Sequence, residues 1–513
     1  MTRWIVPIAV LALVAVLGVE ALFWLDANQL PDGHQNEYLH VGNAMDLWGA
    51  WVQRDWWHLN YYGAANYWPP GFYVGPWPVF AVFGASHRAM VLTNLGHLAL
   101  LLWSTFALGR QLGGRRVGLM AMALIPLYPS VFGNLVRFEP NVALIAWVTL
   151  AALCLVRSEH LTNRRWTVGF ALACSVGLLL DRLSFGFFLL WPVVLCLKHP
   201  RALKGLALTA GIVLLLTGWW HWNFVNLHLD EVLSQQAVGE IDSAGTLMLK
   251  RPKAPFLYYP LILLDSQAGL IPGLAALGSL LLVRRSSWVP MAVVVGSLGV
   301  FTLIAKKQAF YTLPMLGCLA VLTADAMRGR WGTVAFTVVV LFGLEQHAAR
   351  LWDVGVLPRM LNRPALPEAW VLPRHPQALP PRGAELPIDE VADACADVGQ
   401  TVVFSDDYTW FEGFVVLGLR ERLWPRQVRG LIGDPTGTYE WFEEADSFVY
   451  VSLEGDETWP SRERMEGALT QHHYTLSELP PAIDAIDGDR HNWQLVQSWP
   501  LSEGGLVTVW GRH

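Results

Sequence analysis

The side chains best suited to acid–base chemistry lie in one polar segment near the start of the chain, LPDGHQNEYLHVGNAM. It brings Asp32, His34, Glu37 and His40 close together. A carboxylate placed beside a hydroxyl can remove its proton, and a histidine can transfer protons or bind a metal. The segment therefore predicts a site for acid–base chemistry.

Residues 36–51 have helical spacing, with Glu37 and His40 three residues apart on one face. The structural alternative is an amphipathic helix on a membrane surface, whose acids cap its N-terminus. That alternative accounts for the six tryptophans up to Trp77. It does not explain why acids crowd beside two histidines, so we favour the functional interpretation. The apolar side of the helix would carry Leu39, Ala44, Leu47 and Trp51.

Further charged residues lie where apolar segments begin or end. Glu139 opens the segment NLVRFEPNVALIAW, and Asp181-Arg182 and Lys306-Lys307 lie in tight turns. Singly, each is typical of a helix cap. Together they would place acids and cations in one layer, which suits a lipid head group whose phosphate needs cations.

The elements that must hold these residues are membrane helices. Only 15% of the 513 residues are charged and the mean hydropathy is +0.35, whereas soluble proteins carry about 25% charged residues. The stretch 72–84 is too short and too rich in proline to span, so we expect an interfacial helix there. The predicted spans are 4–25, 88–109, 117–134, 139–157, 166–181, 184–198, 202–222, 265–284, 288–305, 308–325 and 331–348.

Positive charge alternates along the loops between these eleven segments. By the positive-inside rule the basic loops face the cytoplasm, which places the N-terminus inside and the C-terminus outside. The first segment is too long for a signal core and lacks a cleavage site, so we expect a retained helix. The outer regions are then 26–87, 223–264 and everything after about 350. The basic side carries Arg3, Arg110, Arg115, Arg116, Arg157, Arg164, Arg165, Lys198, Arg201, Lys204, Arg284, Arg285, Arg328 and Arg330.

The C-terminal part has a different composition. Residues 351–387 are rich in proline and predict a linker, and residues 388–513 predict a small extracytoplasmic α/β domain. Its helix would be PIDEVADACADVG, and its strands TVVFS, SFVYVSL, WQLVQSW and LVTVWGR. The five cysteines lack the spacing of a disulfide framework or a thiolate metal site, which indicates small buried side chains.

Residues 1–350 resemble the bacterial membrane glycosyltransferases of the GT-C superfamily, related to protein O-mannosyltransferases and aminoarabinose transferases. The family shows an acidic pair before an amphipathic helix, then a Pro-Pro-aromatic segment and an Arg-rich turn. An outer acid, a Lys-Gly turn and a Lys…Tyr-Leu-Leu-Pro segment follow. The matching stretches here are Asn36-Glu37, WPPGFY (68–73), GRQLGGRRVGLMAMAL (109–124), Phe138-Glu139-Pro140, Asp181-Arg182 and AKKQAFYTLPML.

The resemblance implies an α-helical GT-C membrane domain that transfers a sugar from a polyprenyl-phosphate donor to an acceptor hydroxyl, at the outer face of a bacterial inner membrane. The family's acidic pair is usually Asp-Glu, and Asn36 stands where that Asp would be. Either Glu37 or Asp32, one helical turn upstream, is then the base. The partners implied are the donor lipid, the membrane and an acceptor protein, lipid or glycan, with no nucleic acid.

The remaining roles also follow from the resemblance. Arg182, Lys306 and Lys307 would offset the charge on the leaving phosphate, and we expect a displacement with inversion at the anomeric carbon. Glu139, usually Asp in the family, would orient the acceptor or, with His40, hold a divalent cation. Substrate contacts are expected from His40, Tyr73 and Tyr311.

Two other classes of protein remain open. A lipid-glycan flippase or transporter would place ionisable groups near the middle of the membrane, whereas here they collect at one face, apart from Glu20. An inactive membrane scaffold is the second alternative. Neither the sugar nor the acceptor follows from the sequence.

Overall fold

A computed structural model describes most of the N-terminal 357 residues and the framework of the C-terminal domain. The described residues are 4–27, 35–60, 63–64, 66–181, 184–238, 240–241, 247–248, 255–304, 307–357, 387–396, 400–405, 427–430, 445–452, 488, 490–500 and 506–512.

Helices dominate the described part of the chain up to residue 357. Short 3-10 or π segments extend several of them, at Ile125–Leu127, Leu263–Gln267, Leu280–Leu282, Arg285–Ser287 and Ala309–Met315. The α-helices are α1 Ile5–Ala27, α2 Gln35–Gln53, α3 Trp56–Asn60, α4 Gly71–Val74, α5 Trp77–Phe83, α6 His87–Gly113, α7 Arg115–Leu124, α8 Pro129–Leu135, α9 Asn141–Arg157, α10 Arg164–Leu180, α11 Ser184–Cys196, α12 Ala202–Val238, α13 Tyr258–Ile262, α14 Leu270–Ser279, α15 Trp288–Leu303, α16 Leu316–Ala326 and α17 Arg330–Leu351. A two-stranded antiparallel pair, β1 Glu240–Ile241 and β2 Leu247–Met248, follows α12.

Each of the eleven apolar segments predicted from the sequence coincides with helix. Six of the described helices are long and apolar enough to cross a membrane, and a seventh is reached if α7 and α8, bent by 63°, form one broken span. Asn141–Arg157, Ser184–Cys196 and Leu270–Leu282 are shorter apolar helices. The chain is thus a multi-pass helical membrane protein, while the count of eleven crossings stays a prediction.

Helices α6, α7, α9 and α16 pack against one another in the centre of the helical domain. The hairpin between α6 and α7 turns at Gly114, whose φ of 86° is in the left-handed region. Beyond the turn the two backbones touch, because a Cβ on Gly118 would lie 2.5 Å from the Phe106 carbonyl oxygen. Helix α9 is almost entirely buried, so the segment that leads into it is held firmly.

The polar region 26–87 forms helices that cover one end of this bundle. The helix predicted over 36–51 is α2, and its buried face carries Glu37, His40, Ala44 and Leu47. Trp51, on the predicted apolar side of the helix, is 46% exposed and stacks on Trp77.

The stretch predicted to be interfacial is the broken pair α4 and α5. The two helices are separated at Gly75-Pro76 and together are shorter than a span. Helix α4 approaches the end of α10 closely, since a Cβ on Gly71 would lie 2.7 Å from the Leu179 carbonyl oxygen. The interfacial location itself stays a prediction.

The C-terminal region is an α/β domain, as its sequence predicts. Helix α18 (Ile388–Ala394) packs on a five-stranded sheet whose strands lie in the order β4-β3-β5-β7-β6. Strands β3, β4 and β5 are parallel, and β7 runs antiparallel to β5 and β6. The strands are β3 Gln400–Ser405, β4 Gln427–Gly430, β5 Ser447–Ser452, β6 Trp493–Pro500 and β7 Leu506–Arg512.

Four of these strands match predicted ones, and β4 is the strand that the sequence did not indicate. All five cysteines are buried and none is in a disulfide, and their burial confirms the interpretation as small core side chains. Most of the predicted linker, at 358–386, lies outside the described residues, and so does the position of this domain relative to a membrane. The linker and the domain boundaries remain predictions.

Candidate active site

Glu37 is a buried carboxylate at the beginning of α2, with 1% of its side chain exposed. Its Oε1 accepts hydrogen bonds from Nε2 of His87, at 2.8 Å, and from the backbone N–H of Phe138, at 2.9 Å. Its Oε2 is buried and has no hydrogen-bond partner among the described residues. One oxygen is therefore held in place, while the other keeps its lone pairs available.

The two groups that bind Glu37 lie at the start of α6 (His87) and in the connection from α8 to α9 (Phe138). Ser86 caps α6 by accepting from the N–H of Ala89 at 3.1 Å, and His87 is the next residue. Phe138 lies in the connection from α8 to α9. The side-chain amide of Asn94 donates to carbonyls of that connection at Asn134 (3.4 Å), Leu135 (3.2 Å) and Arg137 (2.6 Å).

Glu139, the second candidate acid, follows Phe138 directly. Its side chain is 2% exposed, and Oε2 accepts from the amide of Asn141 at 2.7 Å. The same amide donates to Oδ1 of Asn134 at 2.8 Å. Because Glu37 of α2 binds the N–H of Phe138, whose next residue is Glu139, the structure brings Glu37 to the loop that carries Glu139. Arg137, also buried, lies two residues before Glu139 on the same loop.

An aromatic wall surrounds His40 on the same face of α2. Nδ1 of His40 and the hydroxyl of Tyr73 lie 2.9 Å apart, and the ring of His40 packs edge-on against Trp68 and Phe72 at centroid distances of 4.8 and 5.5 Å. Phe72 in turn stacks on Phe138 at 4.4 Å. The predicted substrate residues His40 and Tyr73 are thus in contact with each other and continuous with the loop that carries Glu139.

Lys307 is a buried cation at the end of α15. Its ammonium donates to the backbone carbonyls of Phe301 (3.0 Å), Thr302 (2.6 Å) and Ile304. These bonds cap the helix C-terminus, where a cation is favourable. Its role towards a phosphate stays a prediction.

Aromatic side chains of α13 and of the 3-10 segment Ala309–Met315 lie around this end of α15. Nζ of Lys307 is 5.9 Å from the ring of Tyr259, and Tyr311 packs against Phe301 at 5.4 Å. Burial raises the pKa of Tyr258 and of Tyr259 far above the usual value for a phenol. Both remain protonated hydrogen-bond donors at neutral pH.

Glu20, the ionisable residue predicted inside the first span, is paired. Both of its oxygens lie near Nε2 of His347, at 2.9 and 3.0 Å, and Oε1 also accepts from the indole of Trp352. The pair ties the end of α1 to the end of α17. Next to it, Arg350 is buried and donates to the carbonyl of Asp265 at 2.7 Å.

Three predicted site residues, Asp32, Arg182 and Lys306, lie outside the described residues. The described residues contain no group of three His, Cys, Asp or Glu side chains placed to share a metal ion. Nδ1 of His40 is bonded to Tyr73 and Oε2 of Glu139 to Asn141. A divalent cation held by Glu139 and His40 stays a prediction.

The residues that sequence reasoning missed are the partners of the two acids. In the sequence His87 is the last residue of the polar region 26–87. Asn94 and Asn141 lie inside segments that are recognised by their hydropathy alone. Their polarity within apolar runs was the available signal, because buried amides require hydrogen-bond partners.

No protein family model matches the chain, and neither does any curated protein. Solved structures do share its fold. ArnT from Cupriavidus metallidurans bound to undecaprenyl phosphate matches with a TM-score of 0.59 at 13% identity, over 99% of this chain and 98% of that chain. The apo state of ArnT matches with a TM-score of 0.58 at 12% identity, over 98% of each chain.

A weaker match is AglB, the archaeal oligosaccharyltransferase from Archaeoglobus fulgidus, in complex with an inhibitory peptide and a dolichol-phosphate. Its TM-score is 0.47 at 10% identity, over 96% of this chain and 74% of that chain. The match to ArnT runs from end to end and confirms the expected architecture, a helical membrane domain followed by a small α/β domain.

Proposed function

We propose that this chain is a membrane glycosyltransferase that moves a sugar from a polyprenyl-phosphate-linked donor to an acceptor hydroxyl. The observation that carries the proposal is the buried carboxylate of Glu37, with Oε1 fixed by two donors and Oε2 free of described partners. A general base needs a fixed position and an available lone pair.

The fold supports the same substrate class. One of the ArnT structures that match this chain almost end to end is bound to undecaprenyl phosphate. A fold alone does not define an activity, so the proposal depends on two buried acids: Glu139 in the connection between α8 and α9, and Glu37, which binds that connection from α2. A donor whose lipid tail lies among the helices would present its phosphate and sugar near the ends of those helices.

The reaction we propose is a single displacement at the anomeric carbon. Oε2 of Glu37 takes the proton of the acceptor hydroxyl, the acceptor oxygen bonds to the anomeric carbon, and the bond from that carbon to the phosphate oxygen breaks. The electron pair leaves with the polyprenyl phosphate, and the configuration of the sugar is inverted. Asp32 is the alternative base.

The other residues would bind and orient. Glu139, held by Asn141, would accept a hydrogen bond from the acceptor, and His40 and Tyr73 would line the sugar site. Arg182 and Lys306 would face the leaving phosphate. Lys307, whose ammonium is bonded to carbonyls, would act at that phosphate as a fixed positive charge.

We also propose that this end of the bundle faces the outside of a bacterial inner membrane. The basic loops at the opposite end support this orientation through the positive-inside rule. The C-terminal domain would then lie on the same side as the acids. Reaction of single introduced cysteines with a membrane-impermeant thiol reagent in intact cells tests the orientation.

The function is tested with the full chain, purified and reconstituted in lipid nanodiscs without an ion gradient. A panel of undecaprenyl-phosphate-linked monosaccharides is supplied with candidate hydroxyl acceptors, and released undecaprenyl phosphate is measured. Release or transfer with at least one donor, lost in Glu37→Gln, supports the enzyme. Movement of labelled lipid across vesicle membranes with no release from any donor would instead identify a flippase.

A further inference from the structure

His87, at the start of α6, contacts the carboxylate of Glu37. Its side chain is 15% exposed, against 1% for Glu37, and its Nε2 lies 2.8 Å from Oε1. The two residues are separated by 50 positions and come from different helices. A pair joined over that distance in sequence depends on the assembled fold rather than on local geometry.

From this geometry we infer that His87 is a positioning residue, which holds Oε1 of Glu37 and so turns Oε2 towards the acceptor. The inference rests on the proposed function, because it names the group through which the base of that reaction is oriented. His87 itself does not touch the reacting atoms. Its contact is with the oxygen opposite to the one that takes the proton.

Two hydrogen-bond donors on Oε1 of Glu37 explain why Oε2 is the oxygen that stays available. Nε2 of His87 and the N–H of Phe138 both bind Oε1, which prevents rotation of the carboxylate about its last bond. Oε2 is left buried without a described partner. Loss of the histidine would leave one donor, so the two oxygens could exchange and the base would lose its fixed direction.

A charged pair lies next to His87 in the chain. Arg88, the next residue of α6, pairs with Asp26 at 2.9 Å, and both side chains are about half exposed. Arg88 therefore offers a matched control position, beside His87 but in an exposed contact.

Three variants test the hydrogen bond. His87→Gln places an amide donor near the former Nε2, His87→Leu removes the donor, and Arg88→Gln breaks the exposed neighbouring pair as the matched control. Sugar release is measured as kcat and KM in nanodiscs. The hydrogen bonding of the Glu37 carboxylate is followed independently by infrared spectroscopy, from the carboxylate stretching bands that disappear in Glu37→Gln.

We expect His87→Leu to lower kcat by about 10- to 100-fold, the usual effect of losing a hydrogen bond to a charged group, with a nearly unchanged KM for the donor lipid. His87→Gln should recover most of kcat. In His87→Leu the carboxylate bands of Glu37 should move, because Oε1 loses one of its two donors, whereas in His87→Gln they should stay close to their wild-type positions. Arg88→Gln should match the wild type in all three readouts.

Wild-type kcat and unmoved carboxylate bands in His87→Leu would overturn the inference. Equal loss of kcat in the glutamine and leucine variants, with unmoved bands, would also overturn it, since that pattern indicates general damage. If the wild type releases no sugar from any donor but the bands still move in His87→Leu, the proposed function fails while the positioning of Glu37 by His87 stands.

Discussion

Replacing Glu37 by glutamine isolates the proton-accepting role of this residue from its structural role. In the glutamine variant the amide oxygen can occupy the place of Oε1 and keep the hydrogen bonds from His87 and from Phe138. The amide nitrogen then occupies the place of Oε2, which has no partner among the described side chains and backbone. The fold should therefore be unaffected, while the base is lost.

The expected size of the effect follows from what a general base supplies. Such a group contributes about 10²- to 10⁴-fold in rate, which corresponds to about 3–5 kcal/mol of activation free energy. Glu37→Ala should lose a similar factor in kcat. It should also unfold more easily, because each buried donor left without its acceptor costs about 1–3 kcal/mol.

The assay is single-turnover release of undecaprenyl phosphate in nanodiscs, beside thermal unfolding of the same preparations. A Glu37→Gln protein that keeps more than about a tenth of the wild-type rate would refute the assignment of Glu37 as base. Asp32→Asn is the paired test, because Asp32 is the rival base. Loss of activity in Asp32→Asn, with activity retained in Glu37→Gln, would transfer the role to Asp32.

Four further predictions concern other parts of the molecule. Glu139→Gln should raise the KM for the acceptor while keeping the wild-type melting temperature, and a fall in kcat at saturating acceptor would contradict this. Lys307→Met should destabilise the protein by about 1–3 kcal/mol, since the carbonyls that end α15 lose their donor; unchanged unfolding in denaturant would refute that role. Gly71→Ala should cost about 1–3 kcal/mol, because the new Cβ would lie 2.7 Å from the Leu179 carbonyl oxygen, whereas alanine at the open Gly96 is the control. Burial and the nearby His199 lower the pKa of His160 below 6.5, so the unfolded chain binds more protons and stability should fall as the pH drops below that value; His160→Gln should make the melting temperature less dependent on pH there.

The helices of the domain were predictable because hydropathy is a local property. An apolar run of sufficient length needs a hydrocarbon environment or a protein core, whatever its neighbours are. The count of crossings was less accessible, since length and composition give six or seven spans among the described helices against eleven predicted. Short helices such as α11 and the interrupted α13–α14 can only be assigned once their place in a bilayer is measured.

In the C-terminal domain, alternating apolar residues predicted four strands of the five. Strand β4, with the sequence QVRG, is short and polar and shows no such alternation. Its pairing with β3 defines it as a strand, and that pairing is a tertiary contact.

A helical membrane protein and the candidate acids Glu37 and Glu139 could be predicted from composition and spacing, because apolar runs and the positions of carboxylates are local features of a sequence. The hydrogen-bond partners of those acids could not be predicted, because they depend on the tertiary structure. The Phe138 amide that binds Glu37 lies 101 positions away in the sequence, and His87 lies 50 positions away. Asn94 binds the loop that carries Glu139. Such contacts form only when helices distant in sequence pack together, because burial obliges each polar group to find a partner wherever the fold supplies one.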